Sequence, residues 1–286
     1  MSFSLRQGLL WVVVAAAGCR GTVPEQVFTK PAPPEVPAAP SEPSGAWVPS
    51  PATSPSPYLI DHTAIVRVSA DATTSREDSI SSHLAARFVT EAGGRFRGHI
   101  AAFEVRGPGQ PMGTPAGVVF PITFSGSITA SGVVRSMEPD TLPECRSAVN
   151  AATLASRDLW MRLPDTLRIG TKWTDSTTAT SCRDGVLLAL TVSRAYRVTA
   201  AEGRGQDAVL LVSRTQRLRA TGTGTQWGEA VRVEGAGDGE MALRLSASTG
   251  AVLDAVGRST LTLSFVSARR RQRVDQATVT RIAAAK

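Results

Sequence analysis

Residues 240–246 read Glu240-Met241-Ala242-Leu243-Arg244-Leu245-Ser246, and this stretch decides the fold. Successive side chains of an extended chain point to opposite faces. Met241, Leu243 and Leu245 therefore share one face, and Glu240, Ala242, Arg244 and Ser246 share the other. A strand that is apolar on one side and polar on the other belongs to an antiparallel sheet with one face on a core and one in water. Ser248-Thr249-Gly250 comes next as a turn. Residues 251–266 then repeat the pattern, with Leu253, Ala255, Leu261, Leu263 and Phe265 against Asp254, Arg258, Thr260, Thr262 and Ser264.

The texture extends over most of the chain. Further strands are expected at 59–69, 118–124, 127–135, 173–180, 186–199, 208–220, 226–234 and 273–282. Residues 82–90 and 96–105 read as a hairpin about Gly93-Gly94, where glycine supplies positive φ. AEGRGQ (201–206) and GAGDG (235–239) read as turns, and the glycines at 222–228 as a loop. The expected fold is mainly β: a curled antiparallel sheet, a half-barrel of about 11–12 strands, with one main helix.

That helix opens at Thr141-Leu142-Pro143-Glu144, a capping box with proline in the first turn. Cys145, Val149, Ala152, Ala155, Leu159 and Leu163 then form one stripe, and Pro164 ends it. The stripe needs an apolar surface, and the concave face of the sheet is the one available. Ala148, Ala152 and Ala155 are small, so either the helix leaves an apolar groove beneath it or the alanines let it sit closer and leave no void. The groove reading assigns ligand contacts to Ala152, Leu188, Leu190, Leu263 and Phe265.

The chain begins MSFSLRQGLLWVVVAAAGC. Arg6 is a short positive region, and LLWVVVAAA is an apolar run of about nine residues, too short to span a bilayer. Ala16-Ala17-Gly18-Cys19 resembles the lipobox of bacterial lipoproteins, departing from the family's usual leucine only at Ala16. The resemblance implies cleavage before Cys19, a lipidated Cys19 thiol and durable attachment to a membrane by acyl chains. Arg20 supplies no acidic retention signal, which by the same resemblance implies the outer membrane, facing the periplasm.

The chain thus divides into three segments: a signal peptide at 1–18, a lipidated cysteine with a Pro/Ala/Ser-rich tether at 19–57, and an antiparallel β domain at 58–286. Proline fixes φ and removes donors, so the tether builds neither ladder nor helix. Trp47 and Val48 are the only residues there that could dock on the body, and they read as incidental.

The whole chain has 286 residues, 42% of them hydrophobic, which suits a globular passenger. Its formal charge is +7, carried almost wholly by arginine. Basic envelope proteins are drawn to lipid headgroups, polyanionic sugars or acidic partners, but the charge reads first as a solvated arginine surface, with a functional basic surface as the alternative. No nucleic-acid recognition motif is present. ARRRQR (268–273) reads as a solvated turn, with an anion patch as its alternative.

With Cys19 lipidated, Cys145 and Cys182 remain, an even number in an oxidising compartment, and a disulfide between them is expected. No GxSxG, HExxH, SxxK, CxxC or P-loop pattern occurs, so the chain reads as non-enzymatic and without cofactor. Counting back from Gly93-Gly94 places His99 in the row of Phe88 and His83 in that of Glu104, on opposite faces, so no metal site is expected from them and His62.

LPDTLRIGTKW (163–173), with Leu163, Pro164, Leu167, Gly170 and Trp173, followed by long alternating strands and the late turn at 248–250, is similar to uncharacterised bacterial envelope lipoproteins. Their fold resembles the half-barrel of periplasmic lipoprotein carriers, a sheet wrapped round a helix. The resemblance implies a body that handles apolar ligands or partners. Two readings stand: a lipoprotein binding an apolar ligand or lipid in a groove, or a non-catalytic scaffold binding an envelope protein.

Overall fold

Long alternating strands carry the chain, as the pattern at 240–246 requires. The computed structural model describes residues 45–50, 54–70, 74–116, 118–129, 132–137, 148–183, 186–226 and 228–285. They fall in one unit, Ala39–Lys286. Eleven strands form one sheet: β1 (Ser56–Ala70), β2 (Thr74–Thr90), β3 (Arg95–Arg106), β4 (Ile122–Thr129), β5 (Gly132–Met137), β6 (Lys172–Arg183), β7 (Val186–Glu202), β8 (Val209–Gln226), β9 (Glu229–Ser246), β10 (Val252–Val266) and β11 (Arg271–Ala284).

The order is β5-β4-β3-β2-β1-β11-β10-β9-β8-β7-β6, and every neighbouring pair is antiparallel. The first and last strands thus pair in the middle of the sheet. The sheet curls until its end strands β5 and β6 lie beside each other without a ladder between them, a nearly closed barrel. The connection from β5 to β6 carries the helix α1 (Ala148–Ala155).

The concave face is apolar and the convex face polar. On β7, Val186, Leu188, Leu190 and Val192 are buried, while Thr191, Ser193 and Arg197 are exposed. On β8, Leu210, Val212, Leu218 and Ala220 are buried, while Thr215, Arg217 and Arg219 are exposed. This is the reverse of a membrane-spanning barrel, whose outer band is apolar. No described helix is long and apolar enough to cross a membrane.

Several sequence expectations move. GAGDG is not a turn: residues 229–246, with 235–239 among them, form one continuous strand, β9. Gly235, Gly237 and Gly239 all face inward, where the bending sheet brings β10 close. A Cβ on Gly237 would lie 1.9 Å from the Thr260 carbonyl oxygen. The glycines answer crowding, and crowding marks a bend in a strand as readily as a turn. Gly222 and Gly224 likewise lie within β8. Leu253 is the extra residue of a bulge, since Val252 pairs with Leu245 and Asp254 with Arg244, and it leaves the row of Ala255. The strands expected at 118–124 and 127–135 are displaced to β4 and β5, because the chain runs straight through Gly126, which pairs with Phe96.

The helix is shorter than its stripe. It ends at Ala155; a 3-10 turn (Arg157–Leu159) comes after it, and residues 160–164 lie outside regular structure. The Ser156 hydroxyl donates to the Thr153 carbonyl oxygen at 2.7 Å, competing with continued helix. The capping box at 141–144 lies outside the described residues.

Trp47 is not incidental. It is buried, exchanges two backbone hydrogen bonds with Leu167 at 2.8 Å each, and its indole N–H donates to the Gly205 carbonyl at 3.1 Å. The body therefore begins before residue 58. Val48 beside it is exposed.

Candidate functional site

The inner face of the sheet holds two apolar clusters, and a polar belt divides them. One cluster gathers Tyr58, Ile60, Phe88, Phe96, Phe124, Leu243 and the segment from Ala152 to Met161. The other gathers Val66, Leu188, Leu190, Val233, Leu263 and Phe265. The expected ligand residues are thus separated: Ala152 belongs to the first cluster and Leu188, Leu190, Leu263 and Phe265 to the second.

The belt consists of two adjacent rows across eight strands. Trp173, Tyr196, Arg214, Met241, Gly257, Thr280, His62 and Ser82 pair in sequence from β6 to β2. Asp175, Arg194, Gln216, Gly239, Ser259, Thr278, Ala64 and Ile80 form the next row. Charge at inward positions is costly unless paired, and here it is paired.

Arg194 is 2% exposed and uses all three guanidinium nitrogens. Nε meets Asp175 Oδ1 at 2.5 Å, Nη1 donates to the Arg157 carbonyl at 3.2 Å, and Nη2 donates to the Trp160 carbonyl at 2.5 Å. Tyr196 donates to Asp175 at 3.2 Å and stacks face to face on Trp173, ring centroids 4.9 Å apart. Burial raises the Tyr196 pKa and keeps it a neutral donor. For Arg194, burial alone would favour the neutral form, but the Asp175 carboxylate bonded to it helps outweigh burial and raise its pKa.

Arg214 is half satisfied. Its Nη2 meets Asp158 Oδ1 at 2.7 Å and Gln216 Oε1 at 3.1 Å, while Nε and Nη1 are buried without an acceptor among the described residues. Burial alone would raise the Asp158 pKa, but Arg214 and then Arg157 overcome it and hold the carboxyl well below the usual carboxylate range. His62 completes the belt. Its Nε2 lies 2.9 Å from the Ala155 carbonyl, which can only accept, so Nε2 carries the proton. Nδ1 then accepts from the Thr280 hydroxyl at 2.9 Å. Burial lowers the His62 pKa, in keeping with the neutral ring.

The belt is a clasp. Carbonyls of Ala155, Arg157 and Trp160, in the stretch where α1 unwinds, accept from His62 and Arg194. The clasp seats Trp160, which is 1% exposed and stacks on Phe96 at 5.3 Å and 14°, with Phe124 at 5.9 Å. Trp160 packs in the same apolar cluster as Ala152 of the helix. A small recess beside this segment is lined by Tyr58, Phe88, Val89, Leu159, Met161 and Val252.

The histidines do not converge. Ala101 is an extra residue between the pairs Ala85–Ala102 and Ala86–Ile100, so His99 pairs with Arg87, not Phe88. His83 and His99 therefore share the convex face, correcting the expected opposition, while His62 points inward. His83 pairs there with Asp61 at 2.7 Å. Among the described residues no three His, Cys, Asp or Glu side chains are grouped to hold a metal. Cys19 and Cys145 lie outside the described residues; Cys182 lies on β6 opposite Leu187.

Sequence patterning alone does not single out Asp158, Asp175, Arg194 or Arg214. Their signal is a charge at an inward position: Arg194 falls on the face of Val192 and Tyr196, and Arg214 on that of Val212 and Leu218.

No family model matches the chain, and no curated protein matches it. Among solved structures it is similar to Pseudomonas aeruginosa OccK2 (OpdF), at 8% identity and a TM-score of 0.27, covering 85% of this chain and 100% of that one. A likeness at that level carries no argument about function.

Proposed function

We propose that the chain is a membrane-anchored envelope lipoprotein, acylated at Cys19, whose non-catalytic β body works through its outer surface as a scaffold for an envelope protein. One observation favours surface over groove: Trp160 is fully buried against Phe96, in the same apolar cluster as Ala152 of the helix. The anchor rests on the lipobox resemblance, which also favours the periplasmic side of the outer membrane for the body. A Cys145–Cys182 bridge would tie the region before α1 to β6.

Three measurements test this reading. A fluorescent acyl probe should not bind the wild-type chain, and Ala152→Trp should overpack the first cluster at a cost of about 1–3 kcal/mol. Probe binding abolished by a harmless Ala152→Trp would show a true groove. Metabolic acyl labelling should mark the wild-type chain and not Cys19→Ser; label persisting in the variant refutes the anchor.

The apolar-ligand reading keeps one observation in its favour. The segment from Ala148 to Met161, the plug, belongs to no strand, so lifting it breaks its hydrogen bonds to His62, Arg194 and Arg214 and its apolar contacts but no strand pair.

A further inference from the structure

We propose that the adjoining ends of β9, β10 and β11 form a docking surface for an anionic phospholipid bilayer. Ser267 builds the turn between β10 and β11. Its N–H donates to the Arg270 carbonyl at 2.9 Å, and its hydroxyl accepts from the Arg269 and Arg270 amides at 3.3 and 3.1 Å. This fixes three consecutive arginines, 269–271, at the tip of the sheet. Val266 is 42% exposed on the convex face, and its cross-strand partners on either side are Arg232 and Arg271. Arg273 lies two positions further along β11 on the same face.

Carboxylates are present but set unevenly. Arg269 meets Glu229 at 3.5 Å, Arg273 meets Asp275 at 2.9 Å, and Arg232 contacts Glu234. Four of these arginines, 232, 269, 271 and 273, thus face three carboxylates. The outermost side chain, Arg269, is 84% exposed while its partner Glu229 is only 27% exposed, so positive charge leads. An exposed valine among cations suits the headgroup boundary of a bilayer, where arginine meets phosphate and a small apolar side chain enters below it.

Reach permits the contact. β1 runs from the end where residues 45–50 dock to the end where Ser69 pairs with Arg273. Its rise is about 50 Å. The 26 positions from Cys19 to Gly45 span up to about 90 Å when extended. The anchored reading supplies the bilayer; the surface itself is tested without it.

The test uses residues 19–286 carrying Cys19→Ser, which contains every described element. Cosedimentation is measured with phosphatidylcholine vesicles with and without phosphatidylglycerol, at low and high salt. Binding should require phosphatidylglycerol and vanish at high salt. Arg232→Ala/Arg269→Ala/Arg271→Ala should keep the wild-type melting temperature and lose about 100-fold in partitioning, since each arginine near an anionic surface contributes about five-fold. No binding at low salt, equal binding to phosphatidylcholine alone, or binding unchanged in the triple variant would each overturn the proposal. So would preference for a soluble sulfated polysaccharide over vesicles. Acyl labelling of the exported chain is independent of all four outcomes, so the anchor and the surface can fail separately.

Discussion

Asp158 and Arg214 stand 56 residues apart in the chain and meet at 2.7 Å, both side chains closed off from solvent. One comes from the turn after α1 and the other from the middle of β8, so the pair joins the plug to the sheet. Removing one partner leaves a buried charge alone. Asp158→Leu and Arg214→Met should each cost about 3–5 kcal/mol in urea unfolding. Asp158→Leu/Arg214→Met should cost far less than the sum, because no charge is then stranded. Additive losses would mean that the two side chains do not act as a pair.

Arg194 clasps the plug by its shape as well as its charge. Lysine keeps a positive charge near Asp175 but cannot reach the Arg157 and Trp160 carbonyls together. Arg194→Lys should therefore speed amide exchange at residues 155–162 by about tenfold or more, since a hydrogen bond to a charged group contributes about 1.5–3 kcal/mol. Exchange in β8 and β9 should not change. Uniform acceleration across the sheet would make Arg194 a general core residue.

The mainly β curled sheet was legible because alternation is local: seven residues at 240–246 display it, and Gly93 and Gly94 do turn a hairpin with positive φ. Bulges were not legible. Ala101 and Leu253 look like ordinary strand residues, and each shifts the register of its strand by one position, which is why His99 and Leu253 changed rows. Glycine was ambiguous, since Gly235–Gly239 has the composition of a turn and the geometry of a bend. The belt was half legible: Arg194 and Arg214 interrupt apolar rows, but their partners on the plug depend on a helix that ends at Ala155, and Ser156, whose hydroxyl competes with the helix there, is a weak local sign of that end.

Protonation of the belt should weaken the fold on mild acidification. Burial holds the His62 pKa below its ordinary value, with Asp158 opposing and Arg157 assisting. The unfolded chain then binds more protons below about pH 6.5, so this contribution is fully present above that pH and is lost as pH falls toward the folded value. Asp158, held below its usual range, contributes above about pH 4 and loses that contribution on further acidification. Melting temperature should fall from pH 7 to pH 5, and His62→Gln should flatten that slope. An unchanged slope in the variant would assign it to other groups.

Crowding at the bend makes Gly237 intolerant of any side chain. The Thr260 carbonyl oxygen lies 1.9 Å from where a Cβ would sit, and backbone cannot swing aside as a flexible side chain can. Gly237→Ala should cost about 1–3 kcal/mol or more by forcing β9 and β10 apart. Gly113, with nothing within 4 Å of its Cβ position, should accept alanine within about 0.5 kcal/mol. Equal effects at the two sites would remove crowding as the reason for glycine in β9.

Trp160 decides whether the body is solid or merely plugged. Its indole stacks on Phe96, touches Phe124 and donates to the Ser156 hydroxyl at 3.2 Å. Trp160→Ala removes the largest fully buried side chain and should cost about 3–5 kcal/mol if the walls stay in place. A cavity lined by Phe88, Phe96 and Phe124 should stay dry and accept a small apolar molecule such as benzene. Benzene should then raise the melting temperature of Trp160→Ala and leave the wild type unmoved. If benzene stabilises the wild type as well, an apolar cavity exists beside Trp160 and the groove reading regains its ground. If it stabilises neither, the walls collapse on truncation, and the filled interior is a property of the sheet rather than of one tryptophan.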